Sequence, residues 1–419
     1  MKIKAVKARE ILDSRGNPTI ETELYLEDGS LGVASVPSGG STTSKYESME
    51  LRDKDPDRFA GMGVLKAVAN VNKIIAPKII GQEASQQGNI DQLLITLDGT
   101  ENKAHLGANA ILSVSQAVCE ASAASYKMPT YKYLQAKYQL ANDQTPLPVP
   151  IFNLINGGKH GAGNLDFQEF QIIPTSSKSF IEALECGEEI YQSVKKVLIY
   201  RGAIHSVGDE GGFTPNLFTN MDALEILIEA IKAVEYTLGH QVFLGLDVAA
   251  NFFYQNGHYK IKDREQPFNR KDMISYYVSL NQEYNIFSLE DALQEDDWEG
   301  WVELTRVLGT NTLIVADDLL STNLLRLKKA IAKKASTAIL IKPNQVGTIS
   351  ETVEIIKTAQ EADWKIIISH RSGETNDDFI ADFSVAMRAD YTKFGAPARG
   401  ERVVKYNRLA KIASELNSQ

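Results

Sequence analysis

The sequence predicts an α/β barrel preceded by a small α+β unit. Three observations predict it. From Gln241 onward, apolar β-branched runs alternate with helical stretches about as long as a βα unit requires. Five successive runs stop at an ionisable residue: "QVFLGLD" at Asp247, "YNIFSLED" at Glu290 and Asp291, "TLIVADD" at Asp317 and Asp318, "TAILIK" at Lys342, and "KIIISH" at His370. Pro146, Pro148 and Pro150 then set this region apart from what precedes it. A parallel barrel opens the C-terminal ends of all its strands on one face, where such barrels place their chemistry. An open doubly wound sheet would line one edge with the same residues. The barrel is favoured because the units keep repeating. A single acid after a strand is more often a helix cap or a solvated loop residue; five endings on one face are better explained by a shared site.

The elements follow in order. "TIETELYLEDGSLGVASV" alternates, turns at Asp28 and Gly29, and resumes an apolar run, which predicts a hairpin. Helical stretches are predicted around "GVLKAVANVNKIIAPKII" and "GANAILSVSQAVCEASAA"; in the second, Ile111, Val114, Val118 and Ala121 recur at helical spacing. The N-terminal α+β domain is read as residues 1–140, a Pro-rich linker as 141–150, and the barrel as 151–419. Among the barrel helices, "NLLRLKKAIAKKA" follows Ser321 and Thr322 as candidate caps, and "TISETVEIIKTAQEA" follows Gly347. The 419 residues are 43% hydrophobic and 23% charged, enough for a large core and two domains. A net charge of -10 argues against nucleic acid or anionic membranes as main partners. Two cysteines, Cys119 and Cys186, exclude a disulfide scaffold. "MKIKAVKAREILDSRGN" lacks the apolar core of a signal peptide, and no run approaches membrane-span length, so a cytoplasmic location is expected.

Asp247, Glu290 and Asp317 offer hard oxygen ligands without an adjoining His or Cys cluster, a set that suits Mg²⁺ or Mn²⁺ better than zinc. Lys342 arrives one strand later. Bound cations beside it would lower its pKa and free it as a general base; an ordinary ion pair with one of the acids is the alternative. His370, Arg371 and Ser372 form a compact donor set for phosphate or carboxylate. Two glycine-rich loops stand out, "VGDEGG" around Glu210 and "INGGKHGAGNLDFQEF" with His160 and Glu169. Neither has the spacing of a P-loop or dinucleotide fingerprint, and no nucleophile elbow appears. Metal-assisted proton abstraction beside a carboxylate is the leading class.

Taken together, "AREILDSRGNPTIE", "TLDGTENKAHLGANAIL", "FNLINGGKH", "QEF", "VGDEGGFTPN", "LIVADDLLSTN", "IKPNQVGT", "ISHRSGET" and "GAPARGER" resemble enolase segments in the expected order over nearly the whole chain. The resemblance implies an irregular (β/α)8 barrel capped by an N-terminal α+β domain with a mobile lid loop. It implies a phosphopyruvate hydratase of glycolysis and gluconeogenesis, dehydrating 2-phosphoglycerate to phosphoenolpyruvate with two Mg²⁺ ions per site. In its terms Lys342 is the base, Glu210 the acid assisted by Glu169, and His160 and His370 contact substrate. Arg371 and Ser372 bind phosphate, Lys393 grips the substrate carboxylate, and Gln168 joins the substrate-binding set. Asp247, Glu290 and Asp317 hold the tighter metal, and Ser41 in the lid helps hold the second. A homodimer is also implied, with Arg9, Glu21, Glu401 and Lys411 as candidate partners across it. The chain departs from the family pattern at the lid, "SGGSTTSKYE", which carries Gly40 and Thr43 and is one residue longer before Glu47. It departs again at Asn251 and Phe252, where Ser and Glu are usual.

Overall fold

The computed structural model describes residues 1–39, 44–140, 145–161, 164–262 and 264–417. Its first three strands, β1 (Ile3–Leu12), β2 (Pro18–Leu26) and β3 (Leu31–Ser35), form an antiparallel sheet. The predicted hairpin is β2 and β3; Gly29 takes a φ of 86° in its turn and the Ser30 N–H donates to Asp28 Oδ1 at 3.0 Å. The sequence reading passed over β1. Most of its residues lie exposed or half-exposed, so it carries no clear alternation.

The helix Ala108–Ser125 lies across this sheet and is buried on nearly every face. Contact is close at Gly32, where a Cβ would come within 2.1 Å of the Ala117 carbonyl oxygen and 2.5 Å of the Ala121 nitrogen. The other predicted helical stretch is interrupted: Leu65–Asn70 and Ala76–Ile79 flank a π-turn, Val71–Ile75. Pro77, lacking an N–H, cannot keep the regular ladder there.

The second sheet is a closed barrel. Its strands are β4 (Val149–Asn156), β5 (Glu169–Pro174), β6 (Val242–Asp247), β9 (Ile286–Glu290), β10 (Leu313–Ala316), β11 (Ala338–Ile341), β12 (Lys365–Ser369) and β13 (Tyr391–Lys393). A small hairpin of β7 (Tyr254–Gln255) and β8 (His258–Tyr259) projects after β6. β4 begins inside the stretch read as linker, and Pro150 lies within it opposite Thr392. β5 runs antiparallel to both β4 and β6, and two helices, Phe180–Tyr200 and Asn220–Ala233, follow it before β6. This is the irregular start; from β9 onward each strand is followed by one helix. The cap before Leu324–Lys333 is a correction. Ser321 and Thr322 are taken up in a left-handed turn, and the Asn323 side chain instead accepts from the Leu325 and Arg326 N–H groups.

Apolar side chains close the barrel floor: Ile151, Ile173, Val315, Ala338, Leu340 and Ile367 pack as one cluster. The polar side chains of the strands are therefore concentrated at the opposite mouth. The N-terminal domain abuts that mouth through Ser14 N–H to Glu374 O and Ser38 N–H to Gly373 O, each 2.7 Å. Among the described residues no helix is long and apolar enough to cross a membrane.

Candidate active site

Strand register brings the site together. Across the mouth, Asn156 stands beside Glu169, Glu169 beside Asp247, and Asp247 beside Glu290. Glu169 is the first residue of β5, and only the reversed direction of that strand carries it to the end where the others finish. Asp317, Lys342 and His370 follow β10, β11 and β12 directly, and Lys393 ends β13. Glu210 enters from the loop 208–212. Its glycines permit close approach to the barrel rim: a Cβ on Gly212 would come within 2.3 Å of Asn156 Oδ1. One pocket is thus lined by Gln168, Glu169, Glu210, Asp247, Asp317, Lys342, His370, Arg371, Ser372 and Lys393. Ser41 lies outside the described residues. His160 ends a 3-10 turn, Gly158–His160, and its side chain is likewise outside the described part.

Charges decide the details. Lys393 Nζ donates to Asp247 Oδ2 at 2.9 Å and Glu290 Oε2 at 2.8 Å, and lies 3.2 Å from Glu169 Oε1. Burial opposes its charge, but these carboxylates prevail and hold it well above the ordinary lysine value. Lys342 pairs with Asp317 Oδ2. Burial is again the largest influence and lowers it, but the surrounding carboxylates, Asp317 first and Glu290 after it, together leave it raised. The fall expected from the sequence required cations beside the ammonium; the protein itself supplies a carboxylate there. Burial, then the like charges of Glu210 and Asp247, hold Glu169 well above the usual glutamate range against the pull of Lys393. Glu210 accepts from Asn153 Nδ2 and from Ser372 Oγ, both at 3.0 Å. His370 Nδ1 lies 2.8 Å from Arg402 Nη1, which can only donate, so the ring proton sits on Nε2, 3.8 Å from Glu210 Oε1. Burial and the nearby Arg402 charge keep this imidazole neutral, well below its ordinary value.

Two family models match the chain: Enolase, N-terminal domain, over residues 3–134, and Enolase, C-terminal TIM barrel domain, over 144–419. The chain belongs to the enolase family. It is accordingly an enzyme of the lyase type, with the enolase barrel closed by eight strands.

The enolase family is generally Mg²⁺-dependent, and the residues present fit a hard cation. Among the described residues, Asp247 Oδ1 and Asp317 Oδ1 are buried without a hydrogen-bond partner, an expensive arrangement for carboxylate oxygens unless a cation is bound. The acids Glu47, Glu169, Glu210, Asp247, Asp291, Asp317 and Asp318 line the pocket against the cations Lys342, Arg371 and Lys393. Among the described residues, the oxygens that lie together differ from the expected trio. Asp291, Asp317 and Asp318 bring ligand oxygens within 4.8 Å of one another, whereas Lys393 stands between Asp247 and Glu290. Asp291 already accepts from the Asp317 and Asp318 N–H groups at 2.9–3.1 Å, so it shapes the turn that presents Asp317. Burial and Asp317 push Asp318 up to about 7.

Sequence reasoning missed Arg402, Asn153 and Glu47. Arg402 is completely buried and donates to the carbonyls of Arg371, Ser372 and Asp209, at 2.6, 2.7 and 3.1 Å, tying the anion-binding loop to the Glu210 loop. It stands in the quoted "GAPARGER", but nothing local distinguishes a buried arginine from a solvated one. Glu47 pairs with Arg371 at 3.1 Å.

Proposed function

We propose that this enolase-family chain catalyses the reversible dehydration of 2-phosphoglycerate to phosphoenolpyruvate. The observation that carries the reading is the meeting of a lysine, a carboxyl pair and an anion grip in one pocket. Ser372 joins them, since its hydroxyl holds Glu210 while its neighbour Arg371 faces the same space. Lys342, once deprotonated, takes the proton from C2. Glu210 delivers a proton to the C3 hydroxyl, which leaves as water as the C2–C3 double bond forms. Glu169, kept protonated by burial and like charge, is the reservoir beside Glu210. Neutral His370 directs its Nε2 proton toward Glu210 and contacts substrate, as does His160 in this reading. Arg371 and Ser372 bind the phosphate, and Lys393 and Gln168 orient the carboxylate end. Asp247, Glu290 and Asp317 would hold Mg²⁺, with Ser41 assigned to a second ion, and its chemistry is to stabilise the negative charge that develops at the substrate carboxylate.

The same reading makes the protein a cytoplasmic homodimer serving glycolysis and gluconeogenesis. Within the protomer Arg9 is paired with Glu21 and Glu23, so a dimer contact through Arg9 would extend an existing ion-pair network.

Ultraviolet absorbance with 2-phosphoglycerate tests the reaction. Phosphoenolpyruvate should accumulate with Mg²⁺, stop with a chelator, and fall by about 10²–10⁴-fold in Lys342→Ala. Folded, Mg²⁺-loaded wild type that produces no absorbance would refute the reaction.

A further inference from the structure

Ser44, Lys45 and Tyr46 are fastened to the barrel by their side chains. Ser44 Oγ donates to Glu295 Oε2 at 2.7 Å, and Lys45 Nζ and Tyr46 Oη each donate to Asp296 at 2.7 Å. Arg326 completes the arrangement from below. Its guanidinium lies 3.6 Å from the centre of the Tyr46 ring and 4.9 Å from that of Trp298, and it donates to Asp296 Oδ1 at 3.3 Å. Asp296 is thus the common acceptor for Lys45, Tyr46 and Arg326. Contacts of this kind at a partly exposed rim are individually weak, so the hold of this segment on the barrel rests on several of them together.

The next residue points inward. Glu47 accepts from both terminal nitrogens of Arg371 at 3.1 Å, and also from Gln345 Nε2 at 3.1 Å and the Ser44 N–H at 3.3 Å. Arg371 Nη1 further donates to Asn344 Oδ1 at 3.0 Å. Both members of the pair are buried, and they are 324 positions apart in the chain. A long arginine side chain loses rotamer freedom when it grips an anion; one already held loses less.

We propose that residues 44–47 form a clasp that docks on Glu295, Asp296 and Arg326 and, through Glu47, holds the Arg371 guanidinium ready for the phosphate of the substrate. Tyr46, Asp296 and Arg326 are positioning residues. They act through Glu47 and touch no reacting atom. The inference rests on Arg371 as the phosphate-binding group of the proposed reaction.

The test compares full-length wild type with Tyr46→Ala, Tyr46→Phe, Arg326→Met and Lys45→Ala in Mg²⁺. Three quantities are read: amide exchange over residues 44–49, calorimetric affinity for inorganic phosphate, and the KM and kcat for 2-phosphoglycerate. Tyr46→Ala and Arg326→Met should speed exchange, weaken phosphate binding about tenfold, and raise KM about as much with kcat within about twofold. Tyr46→Phe keeps the ring under Arg326 and should show a smaller loss. If Arg326→Met does not fold, Lys45→Ala at the exposed edge and the two Tyr46 variants carry the test. Faster exchange with unchanged phosphate affinity would overturn the coupling, and unchanged exchange would overturn the clasp. Wild type that binds no phosphate would overturn the coupling whatever the exchange shows. Phosphate binding and exchange need no turnover, so a failure of the proposed reaction is seen separately in the wild-type kinetics.

Discussion

Asp377 shows what burial does to one carboxyl outside the lining of the active-site pocket. It accepts from the Ser35 and Phe379 N–H groups and from Gln116 Nε2, which also holds Glu120. Burial outweighs these donors and pushes it up to about 6, while burial and Asp377 hold Glu120 well above its ordinary value. The native state therefore binds more protons here than the unfolded chain between about pH 4 and about pH 6. Stability contributed by this pair is present at the acid end and declines as pH rises through that window. Urea unfolding should show a shallower decline from about pH 4 to about pH 7 in Asp377→Asn than in wild type. Identical pH slopes would remove the assignment.

At the level of elements, the fit of the helix Ala108–Ser125 on β2 and β3 depends on the missing side chain at Gly32. The atoms a Cβ would strike belong to backbone, the Ala117 carbonyl and the Ala121 nitrogen, which cannot rotate away. Gly32→Ala should destabilise the protein by about 3 kcal/mol in equilibrium unfolding. A loss no larger than that of an exposed substitution would mean that helix and sheet shift freely. Strand direction matters in the same way for chemistry. A parallel β5 would carry Glu169 to the apolar floor, and its place beside Asp247 and Lys393 exists only because the strand is reversed.

For the whole molecule, cation binding and folding are linked through the acids at the mouth. Glu290 and Asp291 are held well above their ordinary values, burial first and neighbouring carboxylates next. A divalent cation that binds only the folded protein relieves that repulsion and raises the melting temperature. Wild type should melt about 2–5 °C higher in Mg²⁺ than in a chelator, and Asp317→Asn should lose most of that rise. An equal rise in both proteins would place the cation elsewhere.

The local pattern was enough to locate much of this site. Continuous apolar, β-branched runs and helices of period 3.6 are written into neighbouring residues, and so are the endings at Asp247, Glu290, Asp317, Lys342 and His370. Lys393 was found through resemblance alone, because β13 has three residues and offers no run to read. Other features came from closure of the chain on itself: the reversal of β5, the lysine between Asp247 and Glu290, the histidine tautomer set by Arg402, and the grip of Glu47 on Arg371. Each joins residues whose separation along the chain exceeds any periodicity, and each owes its energy to burial that only the folded barrel and its N-terminal domain create together.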